Sequence, residues 1–174
     1  MKTIKKTMYV LLIGLALLFT TTSCNKDDDG GSGGDASAGT VKAKVAGVNY
    51  SSNPQLSVAT RIVAGGITTV SIQGNSDSGK SITMLMNGVT GTGTYDIGGG
   101  ANITISASYI EANVSNPAAS QVWQAPFDAT VAGEISISEF SDTKIQGTFT
   151  FTGKNVNGDN STKAVTEGSF NMNF

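Results

Sequence analysis

The sequence predicts an all-β fold, an antiparallel β-sandwich with a small closed β-barrel as the alternative, and three observations carry that expectation. From Thr40 onward apolar and polar residues alternate with a period of two, the mark of strands buried on one face. Gly, Asn and Pro clusters interrupt this alternation at intervals of roughly ten residues, as many short antiparallel strands require. No apolar stripe of helical period and useful length competes with it. The composition agrees: 22 Gly against 3 Pro, 39 % hydrophobic and 14 % charged residues describe a turn-rich globular chain better than a disordered one. Uneven strand lengths favour the sandwich over the barrel.

The N-terminal segment reads as an export signal, residues 1–23. Lys2, Lys5 and Lys6 precede an uncharged run, and small polar residues 20–23 follow it. Its apolar core, residues 8–19, would span about 18 Å as a helix against the roughly 30 Å of a bilayer core, too short for a permanent transmembrane helix. Cys24, the single cysteine, lies directly behind this run. The segment Thr21-Thr22-Ser23-Cys24 resembles a bacterial lipoprotein signal, which implies lipidation of Cys24 and a membrane partner reached through acyl chains. Several chains give stable anchoring, because each buried CH₂ contributes about 0.8 kcal/mol and a single chain is marginal.

Residues 24–39 then read as a tether. Asn25-Lys26-Asp27-Asp28-Asp29 resembles the surface-export signal of Bacteroidota lipoproteins, which implies an outer-membrane protein facing the cell exterior, with Lys26, Asp27, Asp28 and Asp29 as the signal. The Gly/Ser-rich stretch that follows is flexible, and the 15 residues 25–39 reach roughly 21 Å r.m.s.. Without the three leader lysines, eight cations face thirteen acids, a net charge of −5, of which residues 40–174 hold −2. No basic patch exists to collect phosphates, so no nucleic-acid partner is expected.

Residues 40–174 form the single expected domain. Val41, Ala43 and Val45 alternate with Lys42 and Lys44, and Val70 and Ile72 with Thr69, Ser71 and Gln73. Ile82, Met84 and Met86 make the next stripe, then Ile103, Ile105, Ala107 and Tyr109, then Ile135 and Ile137. Ile145, Phe149 and Phe151 share one face, and Phe170, Met172 and Phe174 close the series. Turns are expected at Gly47, Asn53-Pro54, Gly65-Gly66, 74–79, 88–93, 98–100, Asn116-Pro117 and 157–159. The run from Ile145 through Asn155 with Gly168-Ser169-Phe170-Asn171, the opening Gly47-Val48-Asn49-Tyr50, and the central 91–97 are together similar to an uncharacterised family of Bacteroidota lipoproteins. That resemblance implies a surface β domain and carries no known activity.

Catalytic chemistry finds little support. With no histidine and one cysteine, Ser-His-Asp and Cys-His catalysis, His-ligated zinc and an intrachain disulfide are excluded. Residues 74–81 satisfy the P-loop spacing, but an alternating, β-prone run follows Lys80 where phosphate binding needs a helix, so no nucleotide is expected. The Asn-rich loop 155–160 offers oxygen ligands but lacks the later bidentate Glu of an EF-hand, so a plain hairpin loop is expected, with a weak oxygen-only calcium site as the alternative. No metal site and no cofactor are expected. Asp77, Asp96, Glu111, Asp128, Glu134, Glu139, Asp142, Asp159 and Glu167 supply carboxylates, and nothing in the sequence pairs them for glycoside hydrolysis. Trp123, the only tryptophan, is the candidate binding aromatic, able to stack on a sugar face, with Tyr50, Tyr95 and Tyr109 as possible extensions. The expected function is therefore a non-enzymatic interaction or accessory module working with an outer-membrane protein; the alternative is a glycan- or small-ligand-binding lipoprotein.

Overall fold

A computed structural model describes residues 35–100 and 104–174. Cys24, Lys26, Asp27, Asp28, Asp29 and Ile103 lie outside the described residues. Eleven strands are present among the described ones: β1 (Thr40–Val45), β2 (Val48–Ser51), β3 (Val58–Ala64), β4 (Ile67–Asn75), β5 (Lys80–Asn87), β6 (Gly93–Gly98), β7 (Ile105–Glu111), β8 (Gln121–Ala125), β9 (Val131–Phe140), β10 (Lys144–Lys154) and β11 (Thr162–Asn173). All pair antiparallel in one sheet ordered β2-β1-β11-β10-β8-β7-β5-β4-β3, with β9 on the second edge of β10 and β6 beyond it. The all-β, antiparallel expectation holds. The sheet curls on itself as a half-barrel, an arrangement between the sandwich and the closed barrel.

The alternation in the sequence sets the inward face. Val41, Ile72, Ile82, Met84, Ile135, Ile145 and Phe170 are buried on that face, and of their strand neighbours Thr40, Ser81 and Ser169 are buried as well. Phe149 stacks on Phe151 and Phe170 at centroid separations of 6.3 Å each. Such aromatic pairs contribute about 0.5–1.5 kcal/mol beyond the area they bury. Backbone and side-chain contacts tie together strands that are remote in the sheet order. The Tyr50 hydroxyl donates to the Gly74 carbonyl at 2.5 Å, the Asn53 amide to the Asn75 carbonyl at 2.7 Å, and Arg61 reaches Asp142 at 2.8 Å while lying 5.4 Å from the centre of the Phe140 ring.

Three local departures have physical causes. The expected turn at 74–79 begins only after Asn75, because Gly74 is an inward position of β4: a Cβ there would lie 2.6 Å from the Val41 Cβ, so only glycine lets β4 approach β1. Asn116-Pro117 opens a short 3₁₀ turn over Pro117–Ala119. The pairing of β11 skips a residue at 166–167, where Glu167 adopts φ 51°. This bulge shifts the inward set from Lys163 and Val165 to Gly168, Phe170 and Met172. The chain enters the fold ahead of β1: Ala36 is buried and the Gly39 amide donates to the Asn171 carbonyl at 2.7 Å.

Candidate functional site

At one end of the half-barrel the inward positions turn polar. Cross-strand register aligns Lys80 of β5 with Glu111 of β7, and Glu111 with Gln121 of β8. Lys163 of β11 completes the group, donating to Glu111 Oε1 at 2.6 Å. The same oxygen accepts the Tyr109 hydroxyl at 2.9 Å. One position deeper lies an aromatic layer: Tyr50 meets Tyr109 edge to face at 6.4 Å, and Tyr109 lies 5.8 Å from Trp123. The Lys163 ammonium sits 3.7 Å from the Trp123 ring centre and 5.2 Å from that of Tyr109. Between this group and the β1–β2 hairpin opens a cavity of about 150 Å³, bordered by Val45, Val48, Asn49 and Tyr50.

Burial raises the Tyr50 hydroxyl to about 12 and pushes Tyr109 upward too, the latter helped by its hydrogen bond to Glu111. Burial alone would raise the Glu111 carboxyl. Hydrogen bonds from Lys163 and Tyr109, with the charges of Lys163 and Lys80, outweigh it and hold the group below its ordinary value of 4.5. A carboxyl depressed in the folded state stabilises the fold above its unfolded value and loses that contribution as pH falls through the folded one. The stability difference between the native protein and Glu111→Gln should therefore shrink steadily as pH drops below 4.5. Urea midpoints measured from pH 6 to pH 3 check this; a constant difference would contradict it.

Trp123 is 5 % exposed, one face under Lys163, with its indole N–H donating to Ser161 Oγ at 3.0 Å. Of the tyrosines proposed to extend it, Tyr50 and Tyr109 join it, whereas Tyr95 closes its own loop by donating to the Gly91 carbonyl at 2.8 Å. Glu111 and Lys163 are functional candidates that sequence reasoning did not group with Trp123. Glu111 shares the parity of Ile105, Ala107 and Tyr109, which is a readable signal. Lys163 is hidden by the β11 bulge.

The other sequence candidates resolve locally. The P-loop-like segment is the end of β4, a turn, and β5, which starts at Lys80 as a strand. In the 155–160 loop, Asn155 is buried and donates to Gln121 at 2.6 Å, while Asp159 Oδ1 accepts the Ser161 amide and hydroxyl at 2.9 and 2.6 Å and is held low by them. Among the described residues no three His, Cys, Asp or Glu side chains gather as a metal site. Strand register sets Asp96 of β6 directly opposite Glu134 of β9, a juxtaposition the sequence does not display. Both are exposed on the outer face.

The outer face is divided by charge. Outward positions of β3, β4, β5, β7 and β8 carry Val, Ile, Leu, Thr, Ser, Gln and Asn and no charged residue. Those of β1, β9, β10 and β11 carry Lys42, Lys44, Glu134, Lys144, Lys154 and Glu167. The neutral half ends at β3, whose only strand partner among the described residues is β4. Ile62 and Val63 on this edge are 61 % and 59 % exposed, with Val58 and Ile67 also open. The one charge of β3, Arg61, is turned toward Asp142 and Phe140.

Residues 39–172 match the family described as Domain of unknown function (DUF6252). No curated protein and no solved structure matches the chain.

Proposed function

The chain belongs to the DUF6252 family, and from that premise we propose that it is an exported lipoprotein, anchored through Cys24 in the outer membrane of a member of the Bacteroidota and displayed outward by the Lys26-Asp27-Asp28-Asp29 signal. It works by binding and not by turnover: its β domain is an accessory module for a membrane protein. The observation that carries the binding half is β3, a seven-residue edge strand without Pro, Gly, bulge or outward charge. Natural edges are normally blunted by one of these devices. An edge left open offers unpaired N–H and C=O groups to an extended segment of a partner, with Ile62 and Val63 gripping its side chains. The partner therefore supplies a neutral, apolar strand.

Each half has its own test. Cys24→Ala should move the protein out of the membrane fraction or leave it unprocessed; unchanged retention removes the anchor. Replacing Asp27, Asp28 and Asp29 with Ala should leave the protein anchored but protected from external protease, and unchanged shaving would remove the display reading. Ile62→Lys places a gatekeeper charge on the open edge and should abolish recovery of a stoichiometric partner from solubilised membranes while leaving the thermal midpoint within a few degrees. Full recovery with Lys at this position would exclude β3 as the contact.

A further inference from the structure

The cavity beside Lys163 has a chemistry that edge docking does not use. Its polar side holds two lysines, Lys80 and Lys163, against one glutamate, Glu111. Lys163 is committed to Glu111 and the Trp123 ring, whereas Lys80 forms no ion pair among the described residues. The balance is one surplus positive charge on the wall of a small, partly open pocket. The opposite side is aliphatic, from Val45 and Val48 of the β1–β2 hairpin. A volume of about 150 Å³ equals that of about five waters at ~30 Å³ each, well below the ~300 Å³ at which drug-sized pockets begin.

We propose that this cavity is a binding site for a small aliphatic carboxylate, its carboxylate on the Lys80 and Lys163 ammonium groups and its short alkyl tail against Val45 and Val48. The charge and the apolar wall select together. A neutral molecule of the same shape gains nothing from the lysines, and a polyhydroxylated acid cannot satisfy its hydroxyls against valine. Binding draws Lys163 part of the way from the Trp123 ring, so the single tryptophan of the chain reports on occupancy directly.

The test is a titration of the full-length chain in detergent, following Trp123 fluorescence, with propionate as the probe and chloride holding ionic strength constant. Propionate should give a saturable change and propionamide none. Lys80→Gln, at a half-buried strand start where folding can be checked by circular dichroism, should weaken the propionate response by about tenfold or more. Glucuronate separates a free short-chain acid from a sugar-borne carboxylate: saturation by propionate and not by glucuronate is expected, and saturation by glucuronate alone overturns the aliphatic assignment. A propionate response no different from chloride, or an unchanged response in Lys80→Gln, overturns the site itself. Neither depends on whether β3 docks a partner.

Discussion

Phe170→Ala should lower the stability of the domain by about 3–5 kcal/mol, the range for emptying a buried aromatic site. Phe170 has no exposed surface and stacks on Phe149 at 6.3 Å. The surrounding strands are hydrogen-bonded on both edges, since β11 pairs with β1 on one side and β10 on the other. They cannot close around the cavity, so the loss stays near the top of that range. The urea midpoint should fall with the m-value unchanged, and the thermal midpoint by roughly 15–20 °C. A loss under about 1 kcal/mol would mean that the phenylalanine cluster is not the centre of the core.

Trp123→Ala should cost a comparable ~3–5 kcal/mol. The substitution removes the ring that underlies Lys163, the contact with Tyr109 and the hydrogen bond to Ser161. It also loosens the lysine that neutralises Glu111, while the Ser161 hydroxyl keeps its bond to Asp159. Trp123→Phe keeps a ring in the layer and should recover more than half of the loss. The contrast bears on the alternative of a glycan platform: a binding defect in Trp123→Ala alone reports unfolding, whereas a defect in Trp123→Phe at near-native stability reports a contact. Denaturation curves of both variants, read beside their binding, separate the two.

Much of the fold was legible because the domain buries one face of each strand. The stripes at Val41, Ile72, Met84, Ala107, Ile135 and Phe149 each name an inward face that the structure retains. What was not legible came from long-range geometry. Gly74 reads as a turn residue until β1 is seen passing 2.6 Å from where its Cβ would be. The pairing of Asp96 with Glu134 depends on β6 crossing to β9, a connection no local pattern encodes. The site was half visible: Trp123 stood out as the only tryptophan and Tyr109 lay on a core stripe, but Lys163 sits one bulge away from the register of Phe170, and a strict period of two assigns it to the wrong face. The divided outer face, neutral from β3 to β8, became meaningful only once strand order showed that those strands are neighbours.

Photo-crosslinking in living cells that express the full-length protein distinguishes a displayed module that docks through β3 from one that does not. A photoreactive side chain at position 62, on the open edge, is compared with one at position 148, outward on β10 and flanked by β9 and β11. Position 62 should give one discrete heavier adduct, absent from position 148 and lost when Cys24→Ala removes the anchor. No adduct at position 62, or the same adducts from both positions, would contradict it.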